Sequence, residues 1–436
     1  MGKKPNFLFL FSDQHRGDWM PCDVRNGPFL RLPSLCSLME NGTTFTSAVT
    51  PAPLCAPARA CLASGRRYRH CRVYTNGENY DACLPSFYAA LRSAGYFVGG
   101  AGKFDLNKAE LDWGDGFHEI LHRLGFSQAR DNEGKIDSLL AADAGMPGPY
   151  AQMLKNAGWL ETYCQDMRKR KHSDRTTPLP DEFYADNWIT GQSLEILRSI
   201  PQDMPWFMQV NFSGPHDPWD VTARMKQSVQ DRQYPQAVGN TDQEKNQRIR
   251  QNYAAMIENI DRNIGILLEE VHRRGDWGNT IIIYSADHGE MMGDWDLYGK
   301  SVPWQGAIHI PLVIDASCRG GQIGQLNNSP VELQDLAATV LEYAGVDATP
   351  FRESMSLRPI IEGYKHAVRK IAISELLTAQ KENPLNAFTA VTDGRYKYVA
   401  YSDGKSWLFD LAQDPLEQHD IQEEHPDVVR ALKAYW

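Results

Sequence analysis

The chain has no apolar run long enough to cross a membrane: the longest, residues 7–11 and 280–284, are the size of single strands. The first is also too short for the core of a signal peptide. Cysteine is sparse, 8 in 436 residues, so no disulfide framework is expected and the thiols read as reduced. Basic charge is not in excess either. Lys and Arg number 45 against 55 Asp and Glu, a formal net charge of −10, which argues against a nucleic-acid partner. An anionic ligand would therefore be drawn by a local cluster of cations, not by the overall field. Internal repeats and low-complexity tracts are missing, and the remaining composition is that of an ordinary globular protein.

What is present is an alternation of strand and helix patterns. At 436 residues the chain exceeds the usual span of one core, so a large domain with a smaller companion is expected. Residues 7–11, 96–100, 205–212 and 280–285 read as strands, the last rich in β-branched side chains. Residues 32–40, 85–93, 253–272 and 333–343 carry helical spacing, several stopping at Gly. Such alternation predicts an α/β sheet with helices on both faces and polar residues collected at strand ends, where ligands bind. Beyond residue 346 the pattern becomes short strands at 387–392, 396–401 and 407–410, divided by Asp-Gly turns and followed by a helical tail from His425. This predicts a small antiparallel subdomain over 347–436, after a main domain over 1–346. The stretch 127–180 shows little regular pattern and reads as loops.

The densest chemistry lies in Cys55-Ala-Pro-Ala-Arg-Ala-Cys-Leu-Ala-Ser-Gly-Arg66. Pro57 suits the first position of a helix, where its missing N–H costs nothing. A helix start favours an anion, and Arg59 would add a guanidinium fork for an oxyanion. Cys-x-Pro-x-Arg followed by Gly-Arg resembles the signature of the sulfatase family. The resemblance implies that Cys55 is oxidised by a formylglycine-generating enzyme to formylglycine, whose hydrate attacks the sulfur of a sulfate ester. It also implies the alkaline-phosphatase-like fold, a central sheet flanked by helices with a smaller C-terminal antiparallel sheet. With Cys55 set aside, seven cysteines remain, so at least one stays unpaired within the chain.

Other segments resemble the family in family order. Asp13 and Gln14 match its acidic pair after the first strand, and Asp287 and His288 its Asp-Asn or Asp-His pair after a later one. With Cys55 they form the implied metal set. Oxygen-rich ligands select Ca2+ or Mg2+; Gln14 in place of aspartate and His288 in place of asparagine leave Mn2+ open. Gly102-Lys103 resembles the motif whose lysine contacts sulfate. His216 matches the histidine that protonates the departing oxygen, and Lys300 a second lysine near that oxygen. One position departs: Asp105 stands where many sulfatases carry a histidine that helps collapse the sulfated intermediate. His70 and Asn76, in the flanking segment, are candidates to compensate. Trp219, Trp295 and Trp304 adjoin these motifs and offer stacking faces for a sugar, with core packing as the other reading of each. The basic run Arg168–Lys171 reads as a solvated loop or a grip on an anionic glycan.

The implied substrate is a small sulfate ester, most readily a sulfated sugar. Two alternatives stay open: a phosphonate monoester or phosphodiester hydrolase of the same superfamily, and a non-catalytic anion-binding relative. The family is often exported, so the chain reads as cytoplasmic as written, and as periplasmic or secreted if a signal has been removed.

Overall fold

The computed structural model describes residues 3–170, 173–377 and 387–435. In chain order its first ten strands are β1 (Asn6–Asp13), β2 (Thr43–Phe45), β3 (Ala48–Val49), β4 (Phe97–Gly102), β5 (Gln128–Asp131), β6 (Trp206–Pro215), β7 (Thr280–Ala286), β8 (Leu312–Asp315), β9 (Gln325–Asn327) and β10 (Val331–Glu332). Eight of these form one sheet in the order β5-β4-β6-β1-β7-β8-β2-β9. Its core is parallel, and β8 runs antiparallel to both β7 and β2. Strand β1 lies at the centre, between β6 and β7, and every one of its residues is buried. Alternation then sorts its side chains. Phe7, Phe9 and Phe11 enter the core on one face of the sheet, Leu8 and Leu10 the core on the other. A strand covered on both faces reads as a continuous apolar run, which is why residues 7–11 were conspicuous.

The four remaining strands, β11 (Ala372–Leu376), β12 (Phe388–Thr392), β13 (Tyr396–Tyr401) and β14 (Ser406–Asp410), form an antiparallel meander capped by the helix Pro426–Lys433. Strand β11 had no counterpart in the sequence reading. The hydrophobic core is continuous from Phe9 of β1 to Phe409 of β14, so the meander packs onto the larger sheet.

Two expectations need correction. The stretch 127–180 is not loop: it holds β5 and the helices Lys135–Asp143, Pro149–Asn156 and Leu160–Met167. Each is short, and Tyr150, Leu154, Tyr163 and Met167 supply a small core of their own, too little periodic signal to stand out from sequence. The helix read at 253–272 runs from Gln243 to Arg273; its first turns are polar in sequence yet capped by Asp242, which accepts from the Lys245 N–H. The eight cysteines are all free thiols. No helix among the described residues is long and apolar enough to cross a membrane.

Strands β3 and β10 form a small parallel pair of their own, and Glu332 ties that pair to the meander. It is fully buried on β10, pairs with Arg369 and Arg67 at 3.0 Å each, and accepts the Ile373 N–H of β11 at 2.9 Å. Glu332→Ala removes one of the two carboxylates on Arg369, which keeps Asp335, and leaves the Ile373 N–H without its acceptor; urea unfolding is expected to show a loss of about 1–3 kcal/mol. Removing the exposed Arg72–Asp81 pair with Arg72→Ala should leave the midpoint nearly unchanged.

Candidate active site

The C-terminal ends of β1, β4, β6 and β7 converge with the start of the helix Cys55–Ser64. Strand β1 delivers Asp13 and then Gln14, whose φ of 72° turns the chain away from the sheet. Strand β4 ends at Gly102, where φ is +100° and a Cβ would sit 1.9 Å from the Asn211 carbonyl oxygen, so only glycine permits the turn into Lys103. Strand β6 leads to His216, and β7 to Asp287 and His288. The helix opens at Cys55, two residues earlier than Pro57 suggested. Pro57 still sits in the first turn, where no intrahelical partner is lost. Asn76 caps this turn by accepting the Ala56 N–H at 3.0 Å. These elements enclose a pocket of about 650 Å³ lined by Cys55, Asn76, Lys103, Lys108, His216 and Lys300.

At the floor lies a cluster of buried charge. Arg59 donates through Nε to Asp287 Oδ2 at 3.0 Å, through Nη2 to Asp13 Oδ2 at 3.2 Å, and through Nη1 to the Lys103 carbonyl oxygen. Its guanidinium lies over the Phe11 ring, 5.1 Å from the centroid. The fork is thus directed at the carboxylates and not at the open pocket, a correction to its expected role as a direct oxyanion contact. Lys103 Nζ bonds Asp13 Oδ2, stands 3.2 Å from Asp105 Oδ2 and lies 3.8 Å from Cys55 Sγ. Burial alone would raise Asp13, but Lys103, His216, Arg59 and Lys300 together hold it well below the ordinary carboxylate range. Cys55 follows the same logic: burial and Asp13 oppose the thiolate, while Lys103, Lys300 and His288 outweigh them and lower its pKa.

Asp13, Cys55, Asp287 and His288 each bring a ligand atom within 4.8 Å of the others. Burial pushes Asp287 up, and the Asp13 charge adds to it, a repulsion that a bound cation relieves. Two buried carboxylates and an imidazole, with the Gln14 amide alongside, fit a hard divalent cation. The Gln14 backbone N–H donates to Asp287 Oδ1 at 2.9 Å, and its side-chain oxygen accepts from Lys300.

Across the pocket, Lys300 Nζ lies 2.7 Å from His216 Nε2, and His216 Nδ1 faces the Asp217 carbonyl oxygen. An ammonium can only donate, so Nε2 accepts and one proton is shared between the two nitrogens. Asp105 is buried with φ of 52°; Oδ2 bonds Lys108 at 3.1 Å and Oδ1 has no hydrogen-bond partner. Lys108 in turn pairs with Asp137 at 2.9 Å at the pocket wall.

Other sequence candidates lie elsewhere, among them Trp295 and Trp304, which line a separate cavity. His70 is exposed, pairs with Glu353 at 2.8 Å and lines a separate groove with Arg66 and Arg352. Trp219 is fully buried against Tyr298, which is the packing reading of that residue. Arg170, of the basic run, is buried and bonded to Asp166 and to the carbonyl oxygens of Arg175 and Thr176, so it cannot grip a glycan; Lys171 lies outside the described residues.

Residues the sequence reading missed hold these parts in place. Glu290 is buried and accepts from the Gln14 amide and from the Met292 and Gly299 N–H groups. Asp186 accepts the Ser213 and Gly214 N–H groups at 2.8 and 3.0 Å and is pushed by burial to about 6. Lys135 bonds the carbonyl oxygens of His216 and Pro218 at 3.1 and 3.2 Å and Asp220 Oδ1 at 2.6 Å. Its signal was present: Gly134-Lys135 shortly after β5 repeats the Gly102-Lys103 pattern after β4.

A family model described as sulfatase matches residues 5–346, and one described as N-sulphoglucosamine sulphohydrolase, C-terminal, matches residues 293–435. The choline-sulfatase of Rhizobium meliloti is 27% identical over 454 aligned positions, covering 96% of this chain and 83% of that protein. The phosphonate monoester hydrolase of Agrobacterium radiobacter superposes with a TM-score of 0.79 at 22% identity, covering 99% of this chain and 96% of that one. A protein solved with its substrate D-glucosamine-2-N,6-O-disulfate superposes with a TM-score of 0.78 at 17% identity, covering 99% and 97%. These last two likenesses establish the alkaline-phosphatase-like architecture. With its model matched across most of the length, the chain belongs to the sulfatase family.

Proposed function

We propose that the protein hydrolyses sulfate monoesters carried on a sugar, with Cys55 as the source of the nucleophile and a divalent cation, Ca2+ by preference, at Asp13, Gln14, Asp287 and His288. The same reading makes residues 1–346 the catalytic unit and 347–436 a subdomain against it. The observation that carries the proposal is Lys103, a buried ammonium 3.8 Å from Cys55 Sγ. A sulfate monoester presents three terminal oxygens, and a cation beside the nucleophile serves the one that a diester would replace with an organic group. The sugar is supported by the pocket volume of about 650 Å³ and by the glucosamine disulfate bound in the structural neighbour. Gln14, the Asp-His-Gly-Glu segment and the phosphonate hydrolase neighbour favour the second reading, a phosphonate or diester hydrolase.

Oxidised to formylglycine, Cys55 supplies an aldehyde hydrate whose oxygen can attack sulfur and whose second hydroxyl can later expel sulfate. A divalent cation held by Asp13, Gln14, Asp287 and His288 would supply charge to polarise that oxygen and to offset the sulfate. Around them the protein's own groups divide the work. Arg59 orders the two carboxylates that hold the cation. Lys103 stabilises charge on the transferring group, the term that usually dominates such reactions. As the S–O bond to the sugar breaks, the proton shared by Lys300 and His216 passes to the departing oxygen. Lys135 and Asp186 hold the turn that aims His216.

Three outcomes test this. Protein made alongside a formylglycine-generating enzyme should carry an aldehyde at position 55 by peptide mass spectrometry. Cys55→Ala should abolish turnover without changing the unfolding curve, and full activity from an unmodified thiol would sink the mechanism. Chelation should remove activity and reloading restore it, with Asp13→Ala losing bound metal and rate together; metal analysis and rates unaffected by either treatment would exclude the cation. On matched aryl sulfate and aryl phosphonate esters, wild type should prefer the sulfate. Lys103→Ala should shrink that preference by about one to two powers of ten, the value of a charge-assisted contact of roughly 1.5–3 kcal/mol. A wild type faster on the phosphonate, with Lys103→Ala no different, favours the second reading.

A further inference from the structure

A second cavity, of about 320 Å³, lies on the far side of the loop that carries Lys300. The Met291 N–H donates to the Gly299 carbonyl oxygen at 2.9 Å and closes this loop. Tyr298, Gly299 and Lys300 line the catalytic pocket from it. Trp295 faces the other way and lines the second cavity with Trp304, the turn at Asp23–Arg25, and Glu417 beyond β14. The volume falls within the range of about 300–1,000 Å³ typical of small-ligand sites.

Three observations bear on what this cavity takes. Trp295 is 36% exposed and stacks on Trp304 with ring centroids 5.8 Å apart and planes at 30°, leaving one indole face to the opening. Trp304 is in turn packed against Trp407 and Phe409, so the platform is rigid. The backbone at both Trp295 and Glu417 is left-handed, φ 58° at each, a conformation bulky side chains rarely adopt and one that collects at ligand sites. Trp295 keeps it because Asp294, immediately before it, is pinned by Arg16 and Arg250 at 2.6 Å each, while its own N–H donates to the Val238 carbonyl oxygen. Finally, the polar wall offers acceptors. Gln305 Oε1 is buried and accepts no hydrogen bond from the protein, and Asp23, whose Oδ1 accepts the Arg25 and Asn26 N–H groups, lines the same space with its carboxylate; Glu417 beside them is committed to Lys397 and the Gln305 N–H. Arg16, the buried cation there, is committed to Asp18, Asp294 and two backbone carbonyls.

A preformed indole platform beside these acceptors, with Arg16 already paired and the charge of Arg25 set against Asp18 and Asp23, suits a sugar ring without sulfate. We propose that this cavity is a second carbohydrate site, which binds an uncharged hexosyl unit of a glycan beside the catalytic pocket. The proposal rests on the carbohydrate reading of the function for its biological sense, but its binding test does not.

Isothermal titration with cellotetraose, maltotetraose and chitotetraose, none of which carries sulfate, should show saturable binding of at least one to the mature enzyme. Trp295→Ala should weaken that binding by about ten-fold or more, the loss of one stacking face, and Gln305→Leu should weaken it as well. Neither change should alter turnover of 4-nitrophenyl sulfate, which reports an intact fold and catalytic pocket. Binding to none of the three, or binding unchanged in both variants, overturns the inference. Self-association of the protein that Trp295→Ala abolishes also overturns it, by making the platform a contact between copies. Failure of the enzyme to release sulfate from any sulfated sugar would remove the carbohydrate substrate while leaving this binding result to stand or fall alone.

Discussion

Asp13 and Asp287 are two fully buried carboxylates side by side, and the surrounding structure is arranged to make that tolerable. A buried charge without a partner is costly, and two of like sign repel besides. Arg59 answers both at once, because its rigid planar fork bonds both carboxylates and a backbone carbonyl from separate nitrogens in one fixed geometry. Lys103 provides the second positive charge and brings it next to the nucleophile position. The pairing therefore does more than stabilise. It fixes the carboxylates where they can share a cation, and it leaves Lys103 poised beside the place where a second anion would arrive. In the proposed reading, recognition of an anionic ester and neutralisation of the carboxylates would be the same electrostatic arrangement seen from two sides.

That arrangement depends on strand registry. Asp13 and Asp287 come together because β1 and β7 are adjacent and in parallel register, with Ser12 opposite Ala286. Lys103 and His216 arrive by the same rule from β4 and β6, with Gly102 opposite Asn211. The Cys55 helix approaches from outside the sheet, and Arg59, one turn along it, anchors it to both carboxylates. A one-residue slip of any of these strands would turn its end residues to the opposite face. The apolar alternation of β1, Phe to one core and Leu to the other, is what forbids the slip, so core packing sets the precision of the site.

The sequence showed the parts of this plan that rest on strong local signals. Buried strands such as residues 7–11 and 280–285 are continuous apolar runs, and the residues just past them are conspicuous because they are polar. The residues matched to the sulfatase pattern, from Asp13 to Lys300, meet in one pocket with the exceptions of His70 and Trp219. Those two were chosen by proximity in sequence to a motif, and proximity along a chain does not survive a turn: the segment at His70 leaves the pocket before Asn76 returns to it. Also illegible were the residues that act through others. Gly134-Lys135 after β5 repeats the Gly102-Lys103 pattern and so marks a lysine at a strand end, but only the fold shows that it holds the carbonyl oxygens around His216. The short helices between residues 135 and 167 failed for a related reason, since each buries its apolar face in a core that none of them defines alone.

Asp105 shows how a departure from the family pattern is absorbed. An aspartate beside a sulfate position should repel the substrate and draw Lys103 away from it. Its Oδ2 is instead shared between Lys103 and Lys108, and Lys108 is held from the other side by Asp137. The result is a chain of alternating charge, Asp13, Lys103, Asp105, Lys108 and Asp137, running from the floor of the pocket to its wall. Within such a chain each ion has opposite neighbours, so the field that Asp105 projects toward the nucleophile is largely cancelled within a few ångströms. Lys103 gains a second anchor and is held near Cys55 without depending on Asp13 alone. In this chain the acid at position 105 is met by a cation at position 108. Asp105 and Lys108 are one electrostatic unit, since either charge alone would be buried with less compensation.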